Sequence, residues 1–227
     1  MSSYIEIKNI SKNYISQKKI NVLINLNYKF KKGKVYSLVG PSGSGKSTLL
    51  NILSLIDRPS KGNLFIDNKK IDFDNINEND KIRSNDFGII YQEKNLLNDF
   101  NAKDNIILAG IANGKSLNES NKLSERIIKK LKLSNRSEHF PFQLSGGENQ
   151  RIAIGRALIN SPNIIIADEP SGNLDQKNAK EFFKLLLNLK SKNRIIIYAT
   201  HNRYFANLAD CRLKLINGKL KSINARI

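Results

Sequence analysis

The sequence has few of the features that mark a secreted or membrane-spanning protein. Its single cysteine, Cys211, cannot form an internal disulfide and fits a reducing compartment. The longest apolar run, residues 106–112, is far shorter than the roughly 20 residues that a membrane-spanning helix needs. The first ten residues alternate like a strand and contain no apolar signal core. We therefore expect a chain that is soluble or is held at a membrane by another protein.

Acidic residues are also scarce. The chain has 20 Asp and Glu residues against 38 Lys and Arg residues, which gives a formal net charge of +18. A potential of this sign attracts phosphates, nucleic acids and anionic lipid head groups. The lysines are scattered along the chain, however, as a general compositional bias would produce. The charge alone therefore selects no partner.

The apolar content is sufficient for a packed domain. Hydrophobic residues make up 40% of 227 residues, enough for one sizeable core or for a core with an inserted subdomain. Short strand patterns occupy the first thirty residues, and buried-type strands follow at 35–40 and 87–92. The pattern is helical from Asn95 to about Leu158, and strands and helices alternate again after Pro162. This order predicts an α/β core interrupted by a helical block.

A glycine-rich segment carries the first chemical signal. The sequence GPSGSGKS at 40–47 fits G-x-x-x-x-G-K-[ST] and lies between a predicted strand and a predicted helix. Its backbone N–H groups and the helix N-terminus favour a polyphosphate. Lys46 would reach the terminal phosphates and Ser47 would offer its hydroxyl to Mg²⁺. The alternative is a turn that merely caps a helix. The predicted nucleotide-binding residues are Gly40, Pro41, Ser42, Gly43, Ser44, Gly45, Lys46, Ser47 and Thr48.

Two adjacent carboxylates, Asp168 and Glu169, directly follow the apolar run IIIA. Ligands of open α/β sheets lie beyond the carboxyl ends of the strands, where the phosphate loop is also expected. Asp168 is therefore predicted to hold Mg²⁺ and Glu169 to orient and deprotonate the attacking water. By itself such a pair fits a solvated loop better. The phosphate loop upstream favours the catalytic interpretation.

Four further short motifs follow in a characteristic order, and together they indicate a family. They are YQ at 91–92, LSGGE at 144–148, SGNLD at 171–175 and ATH at 199–201. With these motifs the sequence resembles the ATP-binding subunits of ABC transporters over nearly its whole length. The resemblance implies the ABC ATPase fold: an α/β, RecA-like P-loop NTPase core with an antiparallel β subdomain and an inserted α-helical subdomain.

The resemblance also implies how the chain is divided. Residues 1–227 are expected to form one ABC ATPase domain. The β subdomain and the RecA-like core occupy 1–92 and 160–227, and the helical subdomain with the signature motif occupies 93–159.

Several residues receive their roles from the resemblance. Tyr14 matches the aromatic residue that stacks on adenine, although a tyrosine on a hairpin is the simpler alternative. Gln92 would contact Mg²⁺ or the attacking water, and His201 would point at the γ-phosphate. Glu169, His201, Gln92 and Lys46 form the expected catalytic set. The expected Mg²⁺ ligands are Ser47, Gln92 and Asp168.

The signature motif has both a local and an intermolecular interpretation. Ser145 and Glu148 have the spacing of a capping box, which stabilises a helix start. Ser145, Gly146 and Gly147 at a helix start also form a second anion-binding site within one chain. Two such sites favour head-to-tail pairing of two chains. The resemblance implies that the signature motif of each chain then closes over the γ-phosphate bound by its partner. Asp175 would shape that dimer interface.

The implied function is that of an ATPase, with ATP and Mg²⁺ as ligands, which drives a separate integral membrane permease from the cytoplasmic face of the inner membrane. The segments LLNDFNAKDNI and GENQRIAIGRALINSPNIIIADEPSGNLD most resemble the lipoprotein-releasing branch of the family. Efflux of macrolides or peptides and cell-division signalling stay open as alternatives within that branch. A nucleic-acid-associated ATPase is a remote alternative, because the chain has neither a long coiled-coil insertion nor tandem ATP modules; no specific nucleic acid is expected.

Overall fold

The computed structural model describes residues 4–15, 19–92 and 95–223. Its strands are β1 (Tyr4–Ile15), β2 (Lys19–Lys31), β3 (Val35–Val39), β4 (Lys61–Ile66), β5 (Lys69–Lys70), β6 (Phe87–Ile90), β7 (Ile164–Asp168), β8 (Ile195–Ala199), β9 (Cys211–Ile216) and β10 (Lys219–Ile223). Its α-helices are α1 (Lys46–Leu53), α2 (Ile76–Asp86), α3 (Ala102–Ala112), α4 (Leu117–Lys130), α5 (Gly146–Leu158), α6 (Gln176–Asn188) and α7 (Arg203–Ala206). Short 3₁₀ turns lie at Ser134–Arg136 and Pro141–Gln143.

The chain divides into two compact units. The first comprises Met1–Arg83 with Lys190–Ile227, and the second comprises Ser84–Leu189.

The first unit contains an antiparallel sheet with the strand order β2-β1-β4-β5. Its central strand, β1, pairs with β2 on one side and with β4 on the other, so that Ile5 lies opposite both Phe30 and Ile66. Ile5 and Ile7 are buried while Lys8 is exposed, as expected for a sheet with one covered face. The sheet confirms the antiparallel β subdomain.

The first unit also contains the strands β10-β9-β3-β8, of which β3 runs parallel to both neighbours. All of β8 and nearly all of β3 are buried, as is usual for parallel strands that are covered on both faces. The sequence pattern predicts that α1, which follows β3, turns five apolar residues toward the core: Leu49, Leu50, Ile52, Leu53 and Ile56. The first four are buried. The fifth, Ile56, is 43% exposed. Its prediction was wrong because α1 ends at Leu53 and Leu55 adopts a positive φ of 61°.

In the second unit, β6 and β7 are parallel partners, with Ile90 opposite Ala167. The helices α3, α4 and α5 pack on one another. Gly155, whose place in the middle of α5 the sequence does not explain, faces α3 and the end of α4. A Cβ atom there would lie 2.7 Å from Ile106 Cδ1 and 3.0 Å from Leu131 Cδ1. The glycine therefore permits close helix packing at the expense of helix propensity.

Two helices could not be recognised from the sequence. Helix α2 has no apolar stripe, and the only residue it buries is Asn79, whose Nδ2 donates to Asp72 O at 2.8 Å. Helix α7 is a single turn capped by Asn202. In the described part of the chain no helix is both long and apolar enough to cross a membrane.

Candidate functional site

The phosphate loop in the first unit connects the end of β3 to α1. Gly40 is closely packed: a Cβ atom there would lie 2.3 Å from Leu215 O. Gly45 has a φ of +96°, and its added Cβ atom would lie 2.8 Å from Val22 Cγ1. Gly43 has a φ of +73°, but nothing lies within 4 Å of a Cβ atom placed there. Gly40 and Gly45 thus let the loop pack closely on neighbouring residues, whereas Gly43 borders open space.

The start of α1 is suited to an anion. Its N-cap residue is Gly45, which has no side chain to cap the helix, and the first helical hydrogen bond runs from Leu49 N to Gly45 O at 2.9 Å. The N-cap residue therefore supplies no side-chain acceptor at this helix start, where the helix dipole is positive.

The Ser44 hydroxyl lies beside this helix start. It is buried and has no hydrogen-bond partner among the residues that the structure describes. A buried hydroxyl without a partner is unfavourable, and a phosphate oxygen would satisfy it. The residues present therefore fit a polyphosphate.

Lys46 lies across the loop. The residue is only 8% exposed, and its Nζ donates to Gly40 O at 3.1 Å and to Pro41 O at 3.2 Å. These carbonyls hold the ammonium group within the loop. Ser47 is exposed and Thr48 half-buried at the first turn of α1, so the Ser47 side chain is accessible to a ligand.

Two more predicted residues lie in the first unit. Thr200 N donates to Leu38 O at 3.1 Å, which places the end of β8 level with the end of β3. His201 follows at once and is exposed, at the same end of the sheet as the phosphate loop. Tyr14 is 44% exposed near the end of β1, with its hydroxyl bonded to Asp57.

In the second unit, the predicted catalytic carboxylate lies in a strained turn. Asp168 ends β7, and Glu169 adopts a φ of +41°, which is uncommon for a residue other than glycine. The turn is closed by a hydrogen bond of 3.0 Å from Gly172 N to Glu169 O. A Cβ atom on Gly172 would lie 3.0 Å from Gln92 Nε2. The structure therefore brings Gln92 and the Glu169 turn together.

The signature motif starts α5, and the predicted capping box is present. Ser145 Oγ accepts a hydrogen bond from Glu148 N at 3.2 Å, and Glu148 Oε2 accepts one from Ser145 N at 2.8 Å. Arg136 Nε lies 3.1 Å from Glu148 Oε1. The hydrogen bond from the Ser145 N–H lowers the pKa of Glu148. Burial acts in the opposite direction, but the Ser145 side chain and Arg136 lower the pKa further.

The loop before α6 contacts the signature motif. Asp175 caps α6 by accepting a hydrogen bond from Asn178 N at 2.9 Å, and its other carboxylate oxygen accepts one from the Asn178 amide. The same amide packs on Gly147, because a Cβ atom there would lie 2.7 Å from Asn178 Oδ1. Asn178 thus links Asp175 to the signature turn, a role that the sequence did not indicate.

No group of three or more His, Cys, Asp or Glu side chains within residues 4–15, 19–92 and 95–223 is arranged to hold a metal ion. Mg²⁺ does not require such a group, since it is usually bound by one or two carboxylates together with substrate phosphates and water.

Comparison with known proteins agrees with this geometry. Residues 23–172 match the family model described as ABC transporter. The chain is 42% identical over 218 residues to the lipoprotein-releasing system ATP-binding protein LolD of Rickettsia bellii (strain RML369-C), covering 95% of this chain and 96% of that protein. It is 43% identical over 225 residues to LolD of Ehrlichia canis (strain Jake), covering 98% and 99%.

A longer relative and a solved structure extend the comparison. The macrolide export ATP-binding/permease protein MacB of Shewanella sp. (strain ANA-3) is 38% identical over 206 residues, which cover 91% of this chain but 31% of that protein. A dimeric post-hydrolysis state of the ATP-binding cassette MJ0796, bound to ADP and Pi, has 35% identity and a TM-score of 0.88, covering 98% of this chain and 99% of that one.

The fold and the phosphate loop define a P-loop NTPase of the ABC cassette type, as predicted. The chain belongs to the ABC transporter family, in which it is an ATPase subunit.

Proposed function

We propose that the chain binds MgATP at the phosphate loop, hydrolyses it as a head-to-tail homodimer and drives a separate membrane subunit that releases lipoproteins. The observation that carries the proposal is the phosphate loop itself. It combines a helix start whose N-cap residue is a glycine, an accessible Gly43 and a buried Ser44 hydroxyl that has no partner among the described residues. Together these groups are suited to a triphosphate.

The other predicted residues take roles around that ligand. Lys46 binds the terminal phosphates, His201 contacts the γ-phosphate and Tyr14 stacks on adenine. Ser47, Gln92 and Asp168 hold Mg²⁺, which when bound neutralises charge on the phosphate oxygens. Glu169 accepts the proton of the attacking water. The strained turn at Glu169 and the adjacent Gln92 support this assignment, since strained backbone is concentrated at active sites.

Dimerisation supplies the second half of each site. Ser145, Gly146 and Gly147 lie at the start of α5, where N–H groups favour an anion. The MJ0796 cassette, which this chain resembles closely, has been solved as a dimer. We propose the same arrangement here, with Asp175 at the interface.

The relatives support the proposed membrane partner and cargo. The LolD proteins match over nearly their whole length and are named for lipoprotein release, whereas the MacB match spans a minor part of a protein that is also a permease. We propose that this chain likewise works with a separate permease, at the cytoplasmic face of the inner membrane. Macrolide export is the second candidate, supported by the MacB match.

The direct test is the Glu169→Gln variant in the assembly purified with its membrane subunit. We expect ATP hydrolysis to fall by at least about a hundredfold, as is typical when a general base is lost, while ATP binding persists and the dimer is retained. Glu181→Gln is the matched control, because Glu181 is an exposed glutamate on α6. Undiminished hydrolysis by Glu169→Gln would contradict the catalytic assignment.

The cargo requires a separate test. The wild-type assembly in proteoliposomes should release an acylated lipoprotein to an acceptor when ATP is added, and Glu169→Gln should not. Release of a macrolide but of no lipoprotein would support the second candidate instead.

A further inference from the structure

Tyr14 is held by two neighbours that the motifs do not include. Lys12 is 9% exposed, and its Nζ donates to Asp57 Oδ1 and to Arg58 O, each at 2.7 Å. The Tyr14 hydroxyl donates to the other carboxylate oxygen, Asp57 Oδ2, at 3.0 Å. One carboxylate thus binds both the ammonium group of Lys12 and the tip of the tyrosine ring.

Lys12 also covers one face of that ring. Its Nζ lies over the ring, 5.0 Å from the centroid, which is within the range of a cation–π interaction. Lys12 and Tyr14 are two residues apart on β1, so their side chains lie on the same side of the strand. Tyr14 is nevertheless 44% exposed. With one face and the hydroxyl occupied, the exposed remainder of the ring is available for stacking.

We propose that Lys12 and Asp57 are positioning residues that fix Tyr14 as a platform for the nucleobase of ATP. The inference rests on the proposed function and adds two residues to its base-binding end. An exposed tyrosine near a strand end otherwise loses rotamer freedom when a ligand stacks on it. Because the ring is already ordered by Lys12 and Asp57, less of that entropy is lost on binding.

The carboxylate that this support needs is ionised at neutral pH. Burial alone would raise the pKa of Asp57, but the hydrogen bonds from Lys12 and Tyr14 outweigh it and lower the pKa overall. The carboxylate therefore stays ionised and continues to bind both neighbours.

The test compares two ligands by titration calorimetry with the full chain: ATP, which has a base, and inorganic tripolyphosphate, which does not. We expect Lys12→Met and Asp57→Asn to weaken ATP binding about three- to tenfold, less than the full strength of a charge-assisted bond, because the lost contacts lie within the protein and not to ATP. Tripolyphosphate binding should not change. In steady-state hydrolysis KM should rise by the same factor while kcat stays constant.

Two further variants sharpen the test. Lys190→Met is the matched control, because Lys190 Nζ also lies 2.7 Å from a carboxylate, Asp210 Oδ1, in the same unit; it should change neither affinity. Tyr14→Phe removes only the hydroxyl bond to Asp57 and leaves the ring, so it should weaken ATP binding about two- to threefold.

The outcomes are distinct. The positioning role would be overturned if Lys12→Met and Asp57→Asn bound ATP as tightly as the wild type. It would also be overturned if they lost the same affinity for ATP and for tripolyphosphate. Either result would leave the proposed function intact. A wild-type chain that binds neither ligand would overturn both.

Discussion

The signature serine offers a prediction in which a structural role and a functional role can be separated. Ser145 Oγ accepts the hydrogen bond from Glu148 N at 3.2 Å at the start of α5. Ser116 Oγ accepts one from Glu119 N, also at 3.2 Å, at the start of α4. The two serines are therefore matched as helix caps, but only Ser145 lies in the signature motif.

The stability effect follows from the capping geometry. Replacing an N-cap serine by alanine costs about 1 kcal/mol, since one N–H group at the helix start loses its acceptor. In a chain of this size that corresponds to a fall in Tm of about 2–4 °C. Ser145→Ala should lose no more stability than this, because the backbone N–H at position 145 can still donate to Glu148 Oε2. Ser116→Ala should lose a similar amount.

The functional effect should differ between the two serines. In a Glu169→Gln background, where ATP is bound but not hydrolysed, size-exclusion chromatography measures the ATP-dependent dimer. Ser116→Ala should form it normally and Ser145→Ala poorly. Ser145→Asp should keep the cap, since aspartate caps as well as serine, but should abolish the dimer by placing a negative charge at the partner's phosphate. A normal dimer in Ser145→Asp would refute the proposed contact.

Two further predictions concern stability. Gly155→Ala should fail to gain the about 1 kcal/mol that alanine's helix propensity offers, because the side-chain ends of Ile106 and Leu131 must shift to admit the new methyl group. Denaturant unfolding measures the difference, and a gain of the full amount would contradict the packing explanation. The lowered pKa of Glu148 predicts that its contribution is complete above its ordinary value of 4.5 and is lost as pH falls through the folded-state pKa. Glu148→Gln should therefore lose less stability than the wild type on acidification, and equal losses would show that Glu148 is not the group responsible.

Much of the fold could be predicted because its signals are local. Buried parallel strands are continuous apolar runs, as in IIIAD at β7, and α6 has a clear apolar face. Helix α2 could not be predicted, since it is polar on nearly all sides and is fixed instead by contacts such as that of Asn79 with Asp72. Ile56 was assigned to the core because the pattern continues beyond the residue where the helix ends.

In the candidate site, too, local features could be predicted from the sequence and contacts between distant residues could not. The phosphate loop and the capping box are short motifs whose geometry depends on adjacent residues, and the sequence indicates both. Lys12 and Asp57 are 45 residues apart, and Asn178 reaches Gly147 from another helix. Lysines and asparagines are frequent in this chain, so composition gives no reason to select Lys12 or Asn178, and nothing in the local sequence pairs Asp57 with Lys12. Their roles become visible only when the fold places them beside Tyr14 and the signature turn.

The measurement that tests the central claim most directly is a calorimetric titration of the chain with ATP in the presence of Mg²⁺, using the wild type and Lys46→Met. The wild type should bind ATP, and Lys46→Met should bind it at least about tenfold more weakly, because the charge-assisted bonds to the phosphates are lost. Thermal unfolding without nucleotide shows whether the variant is folded. No heat from the wild type, or equal affinity in the folded variant, would contradict the assignment of a nucleotide to the phosphate loop.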